Sequence, residues 1–292
     1  MLTRRHFNQA LLLTPLVPLL ARAASPSTDS LKQHLAALER RSAGRLGVAA
    51  LDSATGHSFG WRQEERFPMC STFKVLLCAA VLAKVDTGAE TLQRRLVYRR
   101  ETLPEYSPVS AKHAGAPGLS IGELCEAAIT LSDNGAANLL LETLGGPGGL
   151  TAWVRQSGDA VSRLDRAEPE LNSALAGDDR DTTSPAAMLA SLQRLLLGQT
   201  LSPGSRSQLA DWMIANRTGA ATLRAGLPSG WKVGDKTGSG EHGTRNDVAI
   251  VWPPHRSPWL VSAYLTGSPA EPAERDAVLA EVGRLTTAAL MA

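Results

Sequence analysis

Four short stretches of this chain carry side chains able to act on one another: Ser71-Thr72-Phe73-Lys74, Ser132-Asp133-Asn134, Glu168-Pro169-Glu170-Leu171-Asn172 and Lys236-Thr237-Gly238. The first pairs a hydroxyl with an amine. Three residues apart in a helix, Ser71 and Lys74 lie on one face, a turn from each other. A serine hydroxyl is a poor nucleophile until a base takes its proton, and a lysine desolvated among Phe73, Val75 and Leu76 has its pKa lowered towards that task. The partial positive charge of the helix N-terminus favours an anion forming beside Ser71. In the third stretch Glu168 and Asn172 stand four apart, so one helical turn puts a base and an amide on the same side, where a water could be oriented. Glu170, two residues on, points elsewhere.

Each stretch has a plain reading when taken alone. Ser-x-x-Lys arises about once by chance in a chain of this length, and Ser229-Gly230-Trp231-Lys232 repeats it in a Gly-bearing turn running into a strand. Ser-Asp-Asn after a helix is commonly a turn. The glutamates would suit a solvated surface, and Lys-Thr-Gly a strand end.

The elements that must position these groups follow from periodicity and punctuation. Asp29 to Arg41 reads as an amphipathic helix with Leu31, Leu35 and Leu38 on one side, followed by a hairpin of Leu46–Leu51 and His57–Trp61. The apolar run from Ser71 to Thr87, closed by Gly88, is a long buried helix. Val97 to Gly118 is mostly loop. Ser120-Ile121-Gly122-Glu123 is a capping box whose helix delivers Ser132-Asp133-Asn134 at its end. A helix from Ala136 to Leu144 is stopped by Gly145-Gly146-Pro147-Gly148-Gly149, and Asp165 to Asp181 is a polar loop. Ser184-Pro185 and Ser202-Pro203 each set a cap and a first-turn proline before a helix. Trp231–Lys236, Thr244–Trp252 and Trp259–Thr266 are strands, and Pro272 to about Ala289 is a final helix. The expected fold is α/β (α+β): a five-stranded antiparallel sheet built from both ends and flanked by the N- and C-terminal helices, packed against an inserted all-helical domain. The corresponding boundaries are 24–62 with 217–292 for the α/β part and 63–216 for the helical domain.

At 292 residues, 43% hydrophobic and 20% charged, the chain can bury a full core. A net charge of +2, scattered basic residues and 4% aromatic content argue against a nucleic-acid partner. Residues 1–23 read as an export signal: Thr3-Arg4-Arg5-His6-Phe7, an apolar run from Ala10 to Leu20, and Ala21-Arg22-Ala23 as cleavage site. The paired arginines resemble a twin-arginine signal, with a general secretory signal as the alternative. The mature chain is expected to start near Ala24 and to work in the periplasm, without stable membrane association. Three cysteines fit that oxidising compartment, as one pair and one left over. Six dispersed histidines offer no metal-ligand spacing, and no cofactor is expected.

The four stretches together, in this order, are the signature set of class A β-lactamases and, apart from the glutamate loop, of penicillin-binding proteins. The chain resembles a class A serine β-lactamase across essentially all of its mature length, and the resemblance implies hydrolysis of β-lactam amides by a monomer. Ser71 would attack the lactam carbonyl, with the oxyanion held by the backbone N–H groups of Ser71 and Ser239. Ser132 would pass a proton to the departing nitrogen, helped by Lys236. Asn134 would hold Lys74 and the substrate's side-chain amide. The same resemblance puts Tyr106, Thr237 and Asn172 in the substrate site, makes Glu168 the base for deacylation, and has Arg166 and Asp181 close the glutamate loop as an ion pair. Whether Lys74 or Glu168 first deprotonates Ser71 stays open. Arg245, one short turn after Lys-Thr-Gly, would anchor the substrate carboxylate, with Asp276 orienting it.

Two departures bear on substrate range. Ala167 stands where relatives often carry an aromatic residue. Cys70 precedes the nucleophile as in the carbapenem-hydrolysing branch, but the position of its disulfide partner is Gly240, so the expectation is penicillins and cephalosporins. Cys78 and Cys125, each seven residues from a reactive serine, are the expected disulfide, worth at most roughly 4 kcal/mol, with Cys70 a free buried thiol. The rivals are a D-Ala-D-Ala peptidase of the penicillin-binding type, which lacks the glutamate loop, and a β-lactam sensor that stays acylated. A sensor needs a membrane segment, and no apolar run after the leader is long enough.

Overall fold

Both ends of the chain meet in one sheet. In a computed structural model, which describes residues 28–291, strands β1 (Arg45–Asp52) and β2 (Ser58–Trp61) form the early hairpin. Strands β3 (Lys232–Gly240), β4 (Thr244–Trp252) and β5 (Trp259–Thr266) come from the end of the chain. The order is β2-β1-β5-β4-β3 and every pairing is antiparallel. All eight residues of β5 are buried, as suits a middle strand covered on both faces. The export signal expected at residues 1–23 lies outside the described residues.

One face of the sheet is covered by the terminal helices. Leu31, Leu35 and Leu38 of α1 (Thr28–Ser42) and Val278, Leu279 and Val282 of the last helix (Pro272–Leu290) share a core with Val48, Val251 and Val261. The other face packs on the helical mass. Its middle is α2 (Phe73–Asp86), buried from Phe73 to Leu82 with no polar stripe, because helices surround it. Around it stand α3 (Ile121–Thr130), α4 (Asn134–Thr143), α5 (Gly146–Gln156), α6 (Pro185–Leu196) and α7 (Pro203–Ile214). Ser120 and Glu123 close the expected capping box, and Ser184 and Ser202 cap α6 and α7.

The Gly145–Gly149 run ends α4, as expected, and also opens the next helix: Gly145 takes φ 86° as N-cap, Pro147 sits in the first turn, and α5 starts inside the glycines. Two expectations are corrected. Strand β3 does not stop at Lys236 but runs on to Gly240, so Lys-Thr-Gly lies within the ladder. Cys78 and Cys125 are free thiols rather than a disulfide. Cys78 Sγ is turned towards the Cys125 carbonyl, 3.7 Å away, and both sulfurs fill the α2–α3 contact as small apolar groups. Cys70 is free and buried, as expected.

Candidate active site

Ser71 does not sit inside an α-helix. Cys70–Thr72 form one 3₁₀ turn that leads into α2, so Ser71 stands just before the α-helical turn carrying Lys74. Cys70 holds φ 44°, a left-handed conformation that disfavours a side chain and places the hydroxyl at the head of the helix. Ser132 has the same unusual backbone, φ 58°, between the end of α3 and the start of α4. Asp133 keeps it there. Its carboxylate caps α4 through Ala136 N at 2.7 Å and accepts from Val109 N, Ser110 N and Ser110 Oγ at 2.7–2.8 Å.

These elements converge on Lys74, which is wholly buried. Its Nζ donates to the Ser132 carbonyl (2.8 Å), Ser132 Oγ (3.3 Å) and Asn134 Oδ1 (2.6 Å), and pairs with Glu168 Oε1 at 3.0 Å. Burial pushes its pKa below the ordinary lysine value, and the Glu168 carboxylate opposes that. Surrounded only by acceptors, Nζ has the contacts of an ammonium. The Ser71 hydroxyl donates to the same Glu168 Oε1 at 3.3 Å. Across the site Lys236 Nζ reaches Ser132 Oγ (3.1 Å) and the Thr237 carbonyl (2.7 Å). Its burial and the nearby Lys74 charge bring its pKa down to about 7.

The glutamate loop holds Glu168 from both sides. One 3₁₀ turn at Glu170–Asn172 brings Asn172 Nδ2 to Glu168 Oε2 at 2.5 Å, the pairing expected from the spacing of four. The loop's neck is closed by Arg166 Nε on Asp181 Oδ2 at 2.6 Å, while Asp181 Oδ1 takes the N–H groups of Asp165 and Arg166. Asn138 was not foreseen. It clasps the Glu168 backbone, Nδ2 to the carbonyl at 2.8 Å and Oδ1 from the N–H at 3.0 Å. Its sequence signal was available, since it lies four residues after Asn134 on one helix face.

With serine, two lysines and glutamate gathered around Ser132, the comparisons with known proteins agree. A model of the β-lactamase enzyme family matches residues 30–290. The chain belongs to the class A β-lactamases. A class A β-lactamase of the last common ancestor of Gram-negative bacteria is 64% identical, covering 89% of this chain and 99% of its own, with a TM-score of 0.88. An ancestral class A β-lactamase is 63% identical over 88% and 98%, TM-score 0.87. The putative class A β-lactamase PenP from Rhodopseudomonas palustris is 55% identical over 89% and 100%, TM-score 0.88. The enzyme is thus a serine hydrolase of β-lactam amides.

The remaining residues line the sheet edge of this β-lactamase. Arg245 Nε pairs with Asp276 Oδ1 at 2.6 Å, and its Nη1 donates to Ser239 Oγ at 2.9 Å. The Thr237 hydroxyl meets Thr218 Oγ1 at 2.5 Å, and Thr218 O accepts from Arg245 at 3.4 Å. Thr218 was not singled out from sequence, nor was Asn216, whose amide holds Asp235 beside Lys236. Both lie in an irregular segment without periodicity. Tyr106 is exposed, its hydroxyl donating to the Leu131 carbonyl at 3.2 Å, and its own carbonyl receives Asn134 N.

Proposed function

We propose that the enzyme opens β-lactams by acylation at Ser71 and frees itself by hydrolysis of that ester, with Glu168 as base in both halves. The observation that carries this is the shared carboxylate: Glu168 Oε1 accepts from the Ser71 hydroxyl and pairs with Lys74, while Oε2 is held by Asn172. In acylation the Ser71 proton passes to Glu168, Oγ bonds to the lactam carbonyl carbon, and the oxyanion is held by the N–H groups of Ser71 and Ser239. Lys74, fully engaged as a donor, stabilises the carboxylate and orients Ser132. Ser132, polarised by both lysines, hands its proton to the departing nitrogen and regains one from Lys74, which takes up the proton held by Glu168, so that the carboxylate is free again for deacylation. In deacylation a water held between Glu168 and Asn172 attacks the ester carbonyl and gives its proton to Glu168. The bond from that carbon to Ser71 Oγ breaks, and Glu168 passes the proton to the leaving Oγ, which restores both the hydroxyl and the carboxylate.

Lys236, Thr237, Ser239 and Arg245 form the cationic, hydroxyl-rich edge that receives the substrate carboxylate, and Asn134 and Tyr106 flank its side chain. Penicillins and cephalosporins fit this edge. The periplasmic site of action and the cleaved leader rest on the twin arginines, apolar run and Ala-Arg-Ala of residues 3–23, and we read the enzyme as a monomer.

The test is Glu168→Gln. Purified enzyme should turn over nitrocefin, and mass spectrometry after mixing with benzylpenicillin should show the wild type back at its free mass within minutes. The variant should lose about 10²–10⁴-fold in turnover and accumulate whatever adduct it forms at Ser71. A wild type that stays acylated for hours would return the penicillin-binding or sensor reading. Ordinary turnover in the variant would move the base away from Glu168.

A further inference from the structure

The nucleophile turn is fastened to the sheet by a side chain that takes no part in the chemistry. Asn246 stands on β4, fully buried, and faces away from the side on which its neighbours Arg245 and Asp247 bond to Asp276 and Thr222. Its Nδ2 donates to the carbonyls of Pro68 (2.9 Å) and Met69 (3.1 Å). The next residue is Cys70, with its left-handed backbone, and then Ser71. Both amide protons are spent on this segment, while Oδ1 is buried with no partner. An unmade buried acceptor is costly, so an apolar residue would suit this position better if packing were its only task.

The register explains what the two bonds hold. Asn246 lies opposite Gly238, one residue before Ser239. A Cβ on Gly238 would come within 2.9 Å of the Met69 carbonyl and 3.3 Å of Asn246 Nδ2. The glycine of Lys-Thr-Gly therefore lets the nucleophile turn lie directly on the β3–β4 pair, and Asn246 locks it there. A second tie comes from Thr72 Oγ1, which donates to the Met69 carbonyl at 2.7 Å and meets Tyr264 Oη on β5 at 3.3 Å.

We infer that Asn246 is a positioning residue of the oxyanion hole: it sets the Ser71 N–H, carried by the nucleophile turn, against the Ser239 N–H, carried by β3. This rests on the reading above that those two groups hold the oxyanion. Asn246 touches neither substrate nor reacting atoms. It acts through the peptide groups at Pro68 and Met69, on a turn whose φ at Cys70 leaves little slack. An oxyanion donor removed outright costs about 10²–10³-fold, and one displaced by a fraction of its hydrogen-bond length costs less.

Asn246→Leu keeps the volume and removes both donors. The variant's melting curve, its acylation rate by stopped flow with a penicillin, and its inhibition by phenylboronic acid are the readouts. The boronate becomes a tetrahedral anion on Ser71 and places an oxygen in the hole, so its affinity reports the hole's geometry and not merely stability. Acylation should slow about 10–100-fold, and phenylboronate inhibition should weaken by a similar factor. The pH limits of kcat/KM should stay where they are, since no titrating group is lost. Asn246→Ser, which retains one donor, should fall between wild type and the leucine variant, and it carries the test alone if the leucine variant does not fold. Folded variants with wild-type acylation and wild-type boronate inhibition would overturn the inference, as would a loss confined to melting temperature. A wild type that is not acylated at Ser71 would remove the underlying reading and the inference with it, an outcome distinct from the others.

Discussion

Two buried lysines face each other across Ser132, and they are provided for very differently. Lys74 has a carboxylate, an amide oxygen, a backbone carbonyl and a hydroxyl around its ammonium. Lys236 has only the Ser132 hydroxyl and its neighbour's carbonyl, and among the described residues no carboxylate pairs with it. Asp235, next in the chain, is taken by Arg224 and Asn216 on the opposite face of the strand. A buried charge without a partner is costly. On one bank of the cleft the protein has completed the ion's surroundings. On the other, Lys236 and Arg245 bring two cations to the sheet edge, as the carboxylate site proposed above requires.

The sharpest way to break that contrast is to replace each lysine by methionine. Lys74→Met leaves Glu168 buried without its cation, so kcat/KM should fall about 10²–10⁴-fold for every β-lactam, with a lower melting temperature near neutral pH. Lys236→Met should act mainly through KM for carboxylate-bearing substrates, and its melting temperature should rise. The folded-state pKa of Lys236, about 7, lies below the unfolded value of 10.5. Between those limits the unfolded chain holds the extra proton, so the wild type gains stability with rising pH there. The stabilisation by Lys236→Met should therefore be full below pH 7 and shrink above it. In wild type, kcat/KM should fall as pH rises through about 7, where free-enzyme Lys236 loses its charge, while kcat holds to higher pH because bound carboxylate keeps the lysine protonated. A melting temperature that drops equally in both variants, or a KM indifferent to Lys236, would erase the contrast.

A smaller effect sharpens the same bank. Arg245 already has a carboxylate partner in Asp276, so it is held in place rather than awaiting one. Arg245→Ala should raise KM for penicillins by an order of magnitude, about 1.4 kcal/mol, and leave the alkaline limb set by Lys236 unmoved. Unchanged KM would leave Arg245 a surface residue paired with a surface aspartate.

How far the sequence revealed this arrangement depends on the range of the interactions. Caps are local, so Ser120–Glu123, Ser184 and Ser202 were legible as written, and so was the Glu168–Asn172 pair, a contact of four residues. Strands β4 and β5 were legible to their ends because burial on both faces demands β-branched and aromatic runs. The start of α5 inside a glycine run was not, since Gly145 acts there through a positive φ that composition does not display. Nor was the role of Asn246, whose partners Pro68 and Met69 lie almost 180 residues away and carry no side-chain signal, because the acceptors are carbonyls. The motif set announced which groups react. The amides that hold them bond to backbone: Asn246 leaves no pattern of its own, and Asn138 shows only its spacing of four from Asn134.

The smallest effect is expected where the two banks meet. Cys70 lies beneath the end of β3, its sulfur only 2.6 Å from where a Cβ on Gly240 would stand, and it forms no hydrogen bond among the described residues. Burial, with Glu168 and Asp181 adding to it, pushes its thiol well above the ordinary range, so it has no thiolate to offer at neutral pH. Cys78 and Cys125 are equally buried, and burial also raises Cys125. Native enzyme should then be nearly silent towards Ellman's reagent, and denatured, unreduced enzyme should show three thiols. A count of one would mean that two of the sulfurs are bonded. Cys70→Ala should keep kcat/KM within about threefold and cost about 1 kcal/mol for the lost sulfur packing. A larger fall in activity would mean that the thiol itself, and not only the backbone shape of Cys70, positions Ser71 between Lys74 and the sheet.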